Sequence, residues 1–127
     1  MNNKTILEKY AQVLVEYSTK VQKGDLVLIR AESYQCQPLV KEIYKLVLKC
    51  GAHPIVRCSL DGLAVDFIKY ANDEQLAYVD PITKLEYEKV DKYISIGAPF
   101  NVKSMAKADS KKMAKRSAAT RELSTLM

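Results

Sequence analysis

Along the first segment of the chain, Ile6, Tyr10, Val13, Leu14, Tyr17 and Val21 recur at spacings of three and four, the signature of one helical face. Thr5-Ile-Leu-Glu8 has the form of a capping box, and Lys23-Gly24-Asp25 is suited to ending the helix. Leu26–Arg30 is a short, unbroken apolar run with β-branched residues, as expected of a strand covered on both faces. Gln37-Pro38 opens a second helix, with proline where its missing N–H is harmless. Leu39, Val40, Ile43, Tyr44, Leu46 and Val47 form its apolar face, and Gly51 closes it. His53–Cys58 reads as a second strand. Strand, helix and strand joined this closely make a βαβ unit, whose strands run parallel.

Farther on, Asp61 is placed to cap a helix carrying Leu63, Phe67, Ile68 and Ala71. Another helical stretch starts near Asp73 and is broken and restarted at Asp80-Pro81, with Leu76, Leu85 and Val90 as anchors. Lys92–Ile96 reads as a third strand, stopped by Gly97 and Pro99. Asp109 starts a final basic helix in which Met113, Ala114 and Leu123 are the candidates for a core face. Helix first, then alternating strands and helices, predicts the α/β class: a three-layer domain with a small, mostly parallel sheet flanked by helices. All of residues 1–127 are expected to form that single domain. The final residues, Arg121 to Met127, carry no helix stop, so the sequence reads as ending within a helix.

The composition, 48% hydrophobic and 28% charged, is that of an ordinary globular chain. No apolar run approaches the ~20 residues that span a bilayer, and the amino terminus lacks the basic, apolar, small-residue order of a signal peptide. The expected compartment is therefore cytoplasmic. Three cysteines, Cys36, Cys50 and Cys58, have no CxxC spacing and read as unpaired structural thiols. The net charge of +5 has a definite location: residues 1–102 hold 13 basic and 13 acidic residues, and residues 103–127 hold seven and two.

Catalytic chemistry finds little support. His53 is the only histidine and opens a strand before Pro54, which suits a strand-end residue better than a metal ligand or general base. Ser33, Ser59 and Ser95 fall at or near strand ends, but none sits in a GxSxG elbow. Cys58 and His53 are five residues apart on one strand, so their side chains face opposite ways. The first strand–helix turn, Ala31 to Pro38, has no glycine and contains Glu32, so it matches no phosphate-binding loop. The carboxylate pairs Glu86/Glu88, Asp73/Glu74 and Asp25/Glu32 lie scattered over helix ends and loops, where a solvated role is the default. The basic stretch Lys103–Arg116 could meet phosphates, yet it has no aromatic residue to stack on bases. Nucleic-acid binding is thus the lesser reading, and a helix with one packed face the greater. No catalytic, cofactor-binding or metal-ligating residue is assigned.

Leu7–Tyr17, then Val21–Ala31, resembles the opening of the thermophilic-type two-metal aminopeptidases, the aminopeptidase T and S group. The helix from Pro38, the Gly51-Ala-His-Pro54 junction, the stretch Asp91–Asn101 and the helix after Asp109 continue that pattern in register over essentially the whole chain. The resemblance implies a cytosolic exopeptidase that removes residues from peptide amino termini, typically as a homodimer. Two divalent ions, zinc or cobalt, would activate water and polarise the scissile carbonyl. It also implies that the metal ligands and catalytic acid lie in a carboxy-terminal catalytic domain absent from these residues. This chain would then be the amino-terminal, non-catalytic part of a longer enzyme, with no cofactor of its own. The alternative is a free-standing nucleotide or nucleic-acid module, with a cleft at the carboxyl ends of Leu26–Arg30 and Lys92–Ile96.

Overall fold

A computed structural model of the chain describes residues 5–97 and 109–124. The chain divides into two compact units, Met1–Leu60 with Val90–Ala98, and Asp61–Lys89 with Pro99–Met127. Pro99, Asn101, Lys103 and Lys107, used in the sequence reading, lie outside the described residues.

The first unit is built on three strands: β1 (Leu26–Ala31), β2 (His53–Cys58) and β3 (Lys92–Ile96). They run in the order β2-β1-β3 and both pairings are parallel, with Leu26 opposite His53 and Ala31 opposite Cys58 and Ile96. As its unbroken apolar run implied, β1 is the central strand: Val27, Leu28, Ile29 and Ala31 are buried, so both of its faces are covered. Asp91 sets the β3 register, because its N–H donates to the Leu26 carbonyl while its carboxylate accepts from the Leu26 N–H, each at 2.8 Å. Beside β1, the apolar face of α2 (Gln37–Lys49) buries Val40, Ile43 and Val47, and Gly51 closes it with φ +78°. Ile43 and Val47 are completely inaccessible, and each contributes about 1.5–3 kcal/mol by leaving water.

Helix α1 (Ile6–Gln12) has the anticipated Thr5/Glu8 capping box, but it widens into a π-helical turn over Val13–Ser18 and stops there. The Thr19 N–H and hydroxyl both donate to the Leu14 carbonyl, and Lys20 takes the left-handed conformation (φ 52°). The stop therefore comes before Gly24, and Val21 is buried from the following loop rather than from the helix. The packed face also differs from the one the periodicity selected. Ala11 and Val15 are fully buried in the same core as Ile43, Val47 and the inner residues of β1, whereas Ile6, Tyr10, Val13 and Tyr17 are exposed. The helix is apolar on two sides, and the small side chain of Ala11 favours close approach of α2.

The second unit is helical: α3 (Leu63–Tyr70), α4 (Asp73–Ala77), α5 (Pro81–Lys89) and α6 (Ser110–Ser124). Its small core joins Ile68, Ala71 and the fully buried Leu76 to the half-buried Met113. Asp61 does not cap α3. Gly62 takes that position with φ +89°, and its carbonyl accepts the Asp66 N–H at 2.9 Å. Of the anticipated anchors, Leu63 and Leu85 are exposed, as is Ala114, while Tyr87 is buried instead. The predicted break at Asp80-Pro81 is present, with Asp80 capping α5 through Thr83. The α/β class holds, with a small, wholly parallel sheet flanked by helices.

Candidate functional site

In a sheet ordered β2-β1-β3 the chain leaves β1 toward one neighbour and later returns on the other side, so the carboxyl end of β1 is the topological switch point where ligands of such folds bind. Here that end is closed by the chain itself. The Glu32 N–H donates to the Ile96 carbonyl and the Ser59 N–H to the Ala31 carbonyl, both at 3.0 Å, so the ladder continues past the strands on both sides. The buried Cys36 thiol points at the Ile96 carbonyl (3.8 Å), and the Cys58 thiol at the Ser33 carbonyl (3.8 Å). Donors a phosphate would need are already engaged: the Cys36 N–H bonds the Ser33 carbonyl, the Gln37 N–H bonds the Tyr34 carbonyl, and Pro38 has none.

The candidate nucleophiles do not meet a base. Ser33 is buried and its hydroxyl accepts from the Gln35 N–H at 3.2 Å, a local turn role. Ser33 and Ser59 follow the carboxyl ends of β1 and β2, whereas His53 opens β2 at the opposite end of the same sheet. Five residues of strand, about 16 Å, separate the His53 and Cys58 positions. The carboxylate pairs are dispersed as well. Asp25 and Glu32 flank opposite ends of β1, and an Asp25 oxygen accepts the Gln22 N–H at 2.8 Å. Asp73, in the first turn of α4, pairs with Lys115 at 3.3 Å. Among the described residues no group of three or more His, Cys, Asp or Glu is placed to hold a metal ion. The described residues do not fit a two-metal centre.

Broad concavities open in both units. In the first, about 1060 Å³ opens between Leu7, Tyr34, Pro38, Tyr44 and Val56. In the second, about 590 Å³ lies over Phe67, Tyr70, Glu74, Tyr78 and Arg116. Arg116 already occupies the latter, its guanidinium 4.7 Å from the Phe67 ring centre and its Nη1 donating to the carbonyls of Leu76 (3.3 Å) and Tyr78. Asp80 also lines it, with its carboxyl held below the ordinary carboxylate range by the hydrogen bonds from the Thr83 N–H and hydroxyl. That shift reflects a helix cap and not a poised acid.

The basic segment is absorbed in the same way. Lys112 donates to the Lys69 carbonyl at the end of α3 (3.2 Å), Lys115 pairs with Asp73, and Arg116 serves the end of α4. Cations at helix carboxyl ends answer the partial negative charge of the last carbonyls. Three of the charges that raised a nucleic-acid reading thus have structural partners, and α6 packs against α4.

The comparisons with known proteins decide the family. The model of the thermophilic metalloprotease family (M29) matches residues 3–127. The chain belongs to that family. The resemblance drawn from Leu7–Tyr17, Val21–Ala31 and the later segments was therefore to the right group. No curated protein matches the chain. Among solved structures, wild-type AmpT from Thermus thermophilus matches with a TM-score of 0.74 and 17% identity. The match covers 94% of this M29 chain and 31% of AmpT, so the chain spans about a third of that structure's length. At that identity the likeness establishes the fold. No described helix of the M29 chain is long and apolar enough to cross a membrane.

Proposed function

We propose that these residues form the amino-terminal, non-catalytic part of a metal-dependent aminopeptidase. In its complete form the enzyme would remove residues from peptide amino termini by two-metal hydrolysis, in the cytoplasm and as a homodimer. The zinc or cobalt ions would be held by residues outside this chain, in a catalytic partner domain.

The observation that carries the reading is a contrast. The M29 family model runs along the chain from residue 3 to residue 127, yet the described carboxylates, thiols and single histidine are dispersed rather than gathered. A hydrolytic two-metal site needs several anionic or imidazole ligands on one cleft. These residues instead serve helix caps, strand clamps and ion pairs, as Asp80, Asp91 and Asp73 do. The role left to them is scaffolding.

Equilibrium dialysis of the purified 127-residue chain against zinc and cobalt tests the assignment directly. The expected result is no stoichiometric binding at micromolar metal. Two equivalents bound per chain would contradict it.

A further inference from the structure

Strand β2 is an edge of the sheet, and among the described residues no strand pairs with its outer side. The bonds on its inner side fix which backbone groups face outward. The His53 N–H donates to the Asp25 carbonyl at 2.8 Å, and the Ser59 N–H donates to the Ala31 carbonyl at 3.0 Å. In an extended strand the N–H and C=O of one residue point to the same side, and successive residues alternate. The backbone groups of His53, Ile55 and Arg57 therefore turn to β1, and those of Pro54, Val56 and Cys58 turn outward. Pro54 falls where its missing N–H leaves no ladder bond unmade, as prolines of edge strands do. The free edge keeps the Pro54 carbonyl and both backbone groups of Val56 and of Cys58.

The cavity of about 1060 Å³ in the same unit adjoins this edge at Val56 and is walled by Leu7, Tyr34, Pro38, Lys41 and Tyr44. Its apolar wall is open, with Tyr34 59% exposed and Leu7 and Tyr44 41% each. A residue paired with Val56 from a further strand would place its side chain on Val56's face, over this cavity. A free edge beside a side-chain pocket is the combination that takes extended peptides: main-chain bonds supply affinity, and the pocket selects a side chain. Charge narrows the choice. Lys45 and Glu42 pair with each other at 2.9 Å, so the net charge of the cavity is that of the exposed Lys41. Where a doubly wound sheet grows in the order 2-1-3-4-5, later strands add beside strand 3 and leave strand 2 at the edge.

We propose that the outer edge of β2 and the adjoining cavity form a binding site for an extended, acidic peptide segment, with a large apolar side chain lodged among Tyr34, Pro38, Tyr44 and Val56. The segment adds antiparallel, the more stable pairing per residue, and its apolar residue exchanges two hydrogen bonds with Val56. Residues two positions to either side share that face, which brings a carboxylate to Lys41. A few bonds to exposed backbone and one lodged side chain give weak binding, with a dissociation constant on the order of 100 µM. The site holds no metal and breaks no bond, so it stands or falls separately from the aminopeptidase reading.

Fluorescence anisotropy of a labelled peptide, glutamate–threonine–phenylalanine–threonine–glutamate with both termini blocked, tests it against the purified chain at about 1 µM to 1 mM. The blocked amino terminus leaves an aminopeptidase nothing to release. Saturable binding is expected, and methylating the phenylalanine nitrogen should weaken it about tenfold by removing one strand bond. Val56→Pro removes the outward N–H at an edge position that tolerates proline, and should cost about tenfold as well. Lys41→Glu should weaken binding about three- to tenfold at low salt, and a peptide with lysines in place of its glutamates should recover it. Circular dichroism confirms that each variant folds. No saturation by 1 mM would overturn the proposal, as would an N-methylated peptide that binds the unaltered chain equally well. A sedimentation mass above 14.3 kDa that Val56→Pro abolishes would give the edge to a second copy and equally overturn it.

Discussion

Arg116 lies over the ring of Phe67, its guanidinium carbon 4.7 Å from the ring centre, and the same group donates to the Leu76 and Tyr78 carbonyls that end α4. One side chain thus links three helices of the second unit: α3 through the ring, α4 through its carbonyls, and α6, which carries it.

Replacing Arg116 with alanine removes both the cation–π contact and the carbonyl bonds. A loss of about 1–2 kcal/mol is expected, since an accessible cation–π pair contributes about 0.5–1 kcal/mol and a hydrogen bond to a charged donor somewhat more. Arg116→Lys should recover less than half of it, because an ammonium cannot stack flat and reach two carbonyls together. Urea unfolding followed by circular dichroism measures both.

Asp80 should give the second unit a dependence on acid. Hydrogen bonds to Thr83 hold its carboxyl below the ordinary value of 3.8. The stability it contributes is complete above that ordinary value and is lost as pH falls through the lower folded value. Asp80→Asn should flatten this acid limb while largely retaining the cap, whereas Asp80→Ala should cost about 1 kcal/mol near neutral pH. Urea midpoints at pH 2 to 6 distinguish the three proteins.

The two faces of α1 should respond differently to substitution. Ala11 is fully buried, so Ala11→Leu overpacks the core and should cost about 1–3 kcal/mol. Tyr10 is exposed, and Tyr10→Ser should change stability by less than about 0.5 kcal/mol. Equal effects in thermal melts of dilute protein would mean that the packed face has been assigned wrongly.

Asp91 exchanges two hydrogen bonds with Leu26 at the start of the β1–β3 pairing. Asp91→Ala removes the carboxylate and leaves the half-buried Leu26 N–H without that partner. The expected cost is about 1–2 kcal/mol, seen as faster hydrogen exchange at the start of β1.

Much of this architecture was legible in the chain because short-range rules governed it. The unbroken run from Leu26 announced a strand covered on both faces, Gly51 announced a helix end, and Asp80-Pro81 announced the restart of a helix. Periodicity failed on α1 because the segment carries two apolar faces, and counting large side chains selected the exposed one over Ala11 and Val15. The helix also stopped early, since a π-helical turn and a left-handed Lys20 leave no signal such as glycine or proline. Asp61 looked like a cap because aspartate commonly is one, but the left-handed Gly62 starts α3 instead. For the candidate site, the sequence already showed that glycine-rich loops and paired histidines were missing. It could not show that Cys36 and Glu32 would close the switch point against Ile96. Those contacts join residues about sixty positions apart, which only the sheet order brings together.

The most direct test of the central claim is hydrolysis of leucyl-anilide, with zinc or cobalt supplied, by the 127-residue chain beside a version extended through the downstream reading frame. Turnover by the extended protein alone is the predicted result. Turnover by the 127-residue chain would contradict the account, since it would require a catalytic centre among these residues.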